Sequence, residues 1–259
     1  MKTFAGIAVV VAGMVSTVAA DERTAVVQGR QIISKYGEAV VWINAATKVD
    51  LGERGGVREE KAECLGVVID PCGLTVLPLN VLDQSFLIAA AMRSKGMEGK
   101  PTVTLSDVRI TLADGAEVPA QIVLKDPDLD LAFVMPDPNK PQERRTFSFV
   151  KMGGVKTADV LDELIIMGRS DPQFTREPMI TLDRVACVLK KPRTLYYARA
   201  AVPGSVVFAE DGALVGLCVT RPAGLDALKV VVLPAEAIAK VAAQVPPPDK
   251  TQVAPSPRP

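Results

Sequence analysis

The sequence predicts an all-β fold, a barrel or sandwich of short antiparallel strands. Short apolar, β-branched runs recur along most of the chain. Glycine-bearing turns punctuate them: Asp70-Pro71-Cys72-Gly73, Ala113-Asp114-Gly115 and Glu210-Asp211-Gly212. Helical periodicity is confined to the two ends and one internal stretch.

Residues 1–20 read as a secretory signal. Lys2 supplies the positive start, residues 4–18 the apolar segment, and Val18-Ala19-Ala20 a small-residue cleavage site before Asp21. Retention as an uncleaved anchor is the alternative, although a comfortable span needs about 20 apolar residues. The domain then runs over 21–245. A short helix is expected over 21–35, with Ala25, Val26, Ile32 and Ile33 as its apolar positions. Residues 39–43 follow as a strand. Residues 50–63 are charged and glycine-bearing, which predicts a surface loop. Residues 65–69 and 74–77 form a hairpin across the Asp-Pro-Cys-Gly turn, and Phe86 to Met92 looks helical.

Residues 108–112 and 118–124 form a second hairpin, and 131–135 a buried strand. The polar, proline-bearing stretch 137–145 is a linker. Strands are then expected at 163–167, 180–189, 196–200, 206–208, 214–219 and 228–232. Pro234 opens a terminal helix, proline being tolerated at a first helical position. Ile238, Val241, Ala242 and Val245 give that helix one apolar face through 245. Residues 246–259 include six prolines and are expected to be a disordered or polyproline tail.

Lysine plus arginine equals aspartate plus glutamate at 30 each. No basic face suggests nucleic acid and no acidic run suggests a charged tail. The leader predicts export, to a bacterial periplasm or the extracellular space, with no membrane association after cleavage. Of the four cysteines, Cys64 and Cys72 are too far apart along a strand to bridge. Cys187 and Cys218 lie in two apolar strands and would pair if those strands are neighbours. The alternative is four buried thiols acting as small hydrophobes. With no histidine and no C-x-x-C, no metal or other cofactor is expected.

Four segments, in order, carry a family resemblance. They are Leu65-Gly-Val-Val-Ile-Asp-Pro-Cys-Gly-Leu-Thr-Val-Leu-Pro-Leu-Asn-Val-Leu82, then Val108-Arg-Ile-Thr-Leu-Ala-Asp-Gly115 through Lys125-Asp-Pro-Asp-Leu-Asp-Leu-Ala132, then Val206-Val-Phe-Ala-Glu-Asp-Gly-Ala-Leu-Val-Gly-Leu217, and Val231-Val-Leu-Pro-Ala-Glu-Ala-Ile238. Together they resemble the protease domain of HtrA/Deg-type, trypsin-like serine endopeptidases, with no PDZ domain expected. The resemblance implies two six-stranded antiparallel β-barrels, about 36–136 and 146–232, with short helices at both ends.

The resemblance places Asn80 at the general-base position, Asp130 at the orienting acid, and either Pro203 or Ser205 at the nucleophile. The ungapped register gives Pro203; keeping a Pro-Gly-x-Ser look gives Ser205. Asparagine has no titratable proton near neutral pH, so Asn80 can only hold a hydrogen bond. Pro203 has no hydroxyl and no backbone N–H for an oxyanion hole. Ser205 has a hydroxyl but no base. Asp130 also closes a turn before a strand, which is reason enough for a structural role.

No lysine or cysteine offers another recognisable nucleophile–base pair. No catalytic residue is therefore expected. The leading expectation is a non-catalytic, exported trypsin-like domain that binds an extended peptide or protein partner by strand addition. The alternatives are a structural or regulatory subunit, homo- or hetero-oligomeric, pairing with an active protease, and a residual hydrolase of another mechanism.

Overall fold

The computed structural model describes residues 15–51, 56–97, 99–140, 145–154, 156–225 and 227–246, with 15–23 as backbone only. Most of the expected leader and tail, 1–14 and 247–259, lies outside the described residues.

The first barrel consists of β1 (Val40–Asp50), β2 (Val57–Val68), β3 (Thr75–Pro78), β4 (Thr102–Thr111), β5 (Glu117–Asp126) and β6 (Leu131–Pro136). It closes in the order β1-β2-β3-β6-β5-β4. In β1, Val41, Ile43, Ala45, Thr47 and Val49 are all buried. That period-2 pattern follows from successive side chains pointing to opposite faces of a strand. Two short helices, α2 (Leu79–Leu82) and α3 (Ser85–Ser94), connect β3 to β4.

The stretch 50–63, expected as a loop, is instead largely strand. Arg58 to Glu63 pair in register with Val49 to Asn44 of β1. The residues of β2 from Val57 to Lys61 are exposed, so main-chain pairing rather than burial holds them extended.

The second half contributes β7 (Glu163–Arg169), β8 (Pro178–Arg184), β9 (Cys187–Leu189), β10 (Leu195–Tyr197), β11 (Val206–Ala209), β12 (Leu214–Pro222) and β13 (Leu228–Pro234). They form one sheet ordered β8-β7-β11-β12-β13-β10-β9. The two edges, β8 and β9, are consecutive in the chain. The single strand expected over 180–189 is bent at Val185-Ala186, where Val185 is fully buried and the Ala186 N–H donates to the Tyr197 carbonyl at 2.8 Å. Counted as one bent strand, they bring the second unit, a half-barrel, to six strands, with the bend joining its two edges. The architecture is the two-barrel fold expected from the sequence.

Cys187 and Cys218 do not pair: all four cysteines are free thiols, with Cys64 and Cys218 buried and Cys72 and Cys187 exposed. β10 and β13 stand between β9 and β12, so the two strands are not neighbours. Cys187 is also not the apolar mid-strand residue expected, because β9 is an edge.

A shared core fills the space between the barrels, joining Leu65, Val67 and Phe133 of the first to Met167, Phe208 and Leu217 of the second. The first helix, α1 (Val15–Tyr36), begins before the expected cleavage position and ends with Tyr36 stacked on Phe208, centroids 5.4 Å apart. Buried Arg169 ties this entry segment down by donating to the carbonyls of Val40, Gly37 and Arg176. Burial holds its pKa below the usual arginine value, and the carboxylates of Glu177 and Glu38 offset this only in part. The terminal helix, α4 (Ala235–Ala242), follows Pro234 and buries Ile238 and Val241. Among the described residues, no helix is long and apolar enough to cross a membrane.

Candidate functional site

The site forms where the first barrel's β5–β6 turn meets β12 of the second. Residues 127–130 make that turn: the Asp126 carboxylate accepts the Leu129 N–H at 2.9 Å, and the Asp130 N–H reaches the Pro127 carbonyl at 3.4 Å. Asp130 sits at φ +57°, a left-handed conformation that aspartate tolerates better than most residues. The geometry buries its carboxylate and aims it at two elements.

One is α2. The first N–H groups of a helix lack internal partners. Asp130 satisfies two of them: its carbonyl accepts from Leu79 at 3.1 Å, and its Oδ1 accepts from the Asn80 backbone at 2.6 Å. The other is β12. Asp130 Oδ2 accepts the Thr220 backbone N–H at 2.6 Å and its hydroxyl at 2.7 Å. Asn80 Nδ2 completes the ring by donating to Thr220 Oγ1 at 3.1 Å. Burial raises the Asp130 pKa above the ordinary carboxylate value; the donors from Asn80 and Thr220 offset this only in part.

Asn80 and Asp130 are thus brought together as the sequence suggests. Thr220 completes the cluster and was not singled out by the sequence. An apolar strand ending in a threonine carries no local signal; only the pairing of the barrels gives that hydroxyl its role.

The two nucleophile candidates lie on the loop leading into β11. Pro203 is half-exposed beside exposed Val202, whereas Ser205 is 1% exposed. The Ser205 hydroxyl faces Gly168 of β7, where an added Cβ would lie 2.7 Å from Oγ. Gly204, at φ +84°, lets the loop pass so close to the first barrel that any Cβ would overlap the Leu65 carbonyl. The N–H groups following Pro203 are engaged: Gly204 donates to the Cys218 carbonyl at 2.8 Å and Ser205 to the Val202 carbonyl at 3.1 Å. Val206 and Phe208 point into the core rather than the cleft.

Among the described residues, the β11-facing edge of β12 has no strand partner beyond Cys218. The Cys218 main chain faces β11, bonding Gly204 and Ser205. By the two-residue alternation of a strand, Thr220 and Pro222 face the same side. The Thr220 N–H is held by Asp130 and Pro222 has none, so this edge presents two carbonyls. A groove of about 580 Å³ lies over β9, β10 and β13, lined by Leu195, Tyr197 and Val231 and reached from β12 by Arg221. α3 borders the second barrel here through Arg93, which donates to the Leu225 carbonyl at 2.6 Å.

A search of the curated proteins finds no match for this chain. The family model described as "Trypsin-like peptidase domain" matches residues 66–217. That interval contains Asn80, Asp130, Pro203 and Ser205, and stops just before Thr220. It covers more than half of the 259 residues and agrees with the paired barrels, so the chain belongs to the trypsin-like peptidase family.

Proposed function

We propose that this domain is a trypsin-like peptidase homologue that holds extended polypeptide without cleaving it. The observation that carries the reading is the ring of Asn80, Asp130 and Thr220. The side chain at the base position is an amide already committed to Thr220, and the orienting carboxylate serves as a clasp between barrels. Acyl transfer needs a base within reach of a hydroxyl nucleophile. The chain has no histidine, and Ser205 is buried against Gly168.

Binding does not require that chemistry. Strand addition draws on main-chain hydrogen bonds and pockets for alternate side chains. The carbonyls of Thr220 and Pro222 face the open side of β12 as acceptors, and the groove beside Arg221 takes a side chain. The leader-like residues 1–20 place this activity outside the cytoplasm in this reading.

The test is calorimetric titration of the purified mature chain with peptides from denatured casein, followed by intact-mass analysis of the same samples. Saturable heat with unchanged peptide masses is the expected result. Flat isotherms across the panel would remove the binding role, and new, shorter masses would remove the non-catalytic one.

A further inference from the structure

The groove beside β12 has a charge pattern that the peptide-holding reading does not by itself require. Its floor is apolar: Leu195 and Val231 are buried and Tyr197 is half-buried. Its rim carries Lys191, Arg193, Arg221 and Lys229 against one acid, Asp128. Arg221 is the decisive member. Its Nη1 donates to the Asp128 carbonyl at 2.6 Å, but its Nη2 is buried with no partner.

Burial, and then the positive charge of Arg193, hold this guanidinium's pKa below the usual arginine value, offset only in part by the carboxylates of Asp130, Asp126 and Asp128. Arginine does not relieve such stress by losing its proton. A buried donor without an acceptor is costly, and the positive charge of Arg193 adds repulsion. An anion seated between Arg193 and Arg221 would neutralise the repulsion between their charges. A carboxylate suits this geometry because guanidinium groups engage it through two parallel donors. The volume lies within the range of small-ligand sites. The groove reaches β12 at Arg221 and Pro222, Arg221 being the residue after Thr220.

We infer that the groove selects an acidic side chain on an otherwise aliphatic extended peptide, seated between Arg193 and Arg221. This rests on the peptide-holding reading and names the class of sequence held.

The experiment uses fluorescein-labelled, C-terminally amidated octapeptides of alternating valine and glutamate, with glutamine and lysine versions as controls. Anisotropy is measured with the wild-type mature chain and with Arg193→Gln and Arg221→Gln. The glutamate peptide is expected to bind about tenfold tighter than the glutamine peptide, the scale of one charge-assisted hydrogen bond. Each substitution is expected to abolish that difference. Arg193 is exposed in a loop, so its variant tests the assignment even where Arg221→Gln disturbs the fold.

Equal affinity for glutamate and glutamine peptides would overturn the inference, as would a preference that survives Arg193→Gln in a folded protein. Decanoate binding that Arg221→Gln removes, with no peptide preference, would assign the groove to a lipid carboxylate and also overturn it. Failure of every peptide to bind would instead contradict the peptide-holding reading itself.

Discussion

Asp130 Oδ2 accepts two hydrogen bonds from Thr220, one from its backbone and one from its hydroxyl, across 90 residues of sequence. Oδ1 of the same carboxylate holds the backbone of Asn80. The acid that a working triad would use to orient its base here joins two barrels. Replacing it by alanine strands three donors in a buried place. Asp130→Ala is expected to cost about 3 kcal/mol or more, read from the shift in a urea unfolding midpoint. Thr220→Val removes the hydroxyl's bond to Asp130 and the acceptor of Asn80 Nδ2, and is expected to cost about 2 kcal/mol by the same measurement.

The buried carboxylate also sets a pH dependence opposite to that of most acids. Its pKa is raised in the folded protein, chiefly by burial. Over the interval from the ordinary carboxylate value up to the raised one, the folded state binds more protons than the unfolded. Stability contributed by Asp130 therefore falls as pH rises through that interval and is fully present below it. The destabilisation caused by Asp130→Asn, which carries no titratable group, is expected to be larger at pH 4 than at pH 7. Urea unfolding of both proteins across that range checks this; a difference that shrinks on acidification would contradict it.

The loop at Gly204 is the second point where the barrels meet. Its positive φ and its contact with Leu65 each exclude a side chain. Gly204→Ala is expected to lose about 2–5 kcal/mol, combining backbone strain with overpacking. Urea unfolding measures it, with Gly115→Ala as a comparison: that glycine also has positive φ but meets nothing within 4 Å.

The thiols divide by burial. Desolvation pushes the Cys218 thiol up to about 12 and raises Cys64 further still. Cys72 and Cys187 are exposed. Titration with a chromogenic disulfide reagent is expected to modify two thiols per native chain and four in guanidinium chloride. Fewer than four after unfolding without reductant would reveal a disulfide.

Much of the first barrel is legible in the sequence because its strands alternate buried and open positions between glycine turns. Exceptions are 44–50, 102–107 and, most clearly, 57–63, whose charged residues show no apolar period. That last stretch is a strand because β1 offers it a full ladder of main-chain partners. In the second barrel the apolar run 180–189 reads as continuous; the bend at Val185-Ala186 depends on where β10 must dock. The site is half legible. Asn80 and Asp130 fall on motif positions, but Thr220 and Arg221 gain meaning only from the meeting of barrels. The two registers at Pro203 and Ser205 differ sharply in exposure, which sequence spacing does not convey.

The most direct measurement of whether this domain is non-catalytic is casein cleavage by the wild-type chain beside Asn80→His, each followed by mass spectrometry over many hours. Restoring an imidazole leaves Ser205 buried against Gly168 and leaves Pro203 without hydroxyl or N–H. Intact casein is expected from both proteins. Cleavage products from the wild type would contradict the non-catalytic reading outright, and products from Asn80→His alone would show that the serine loop is intact and only the base is missing.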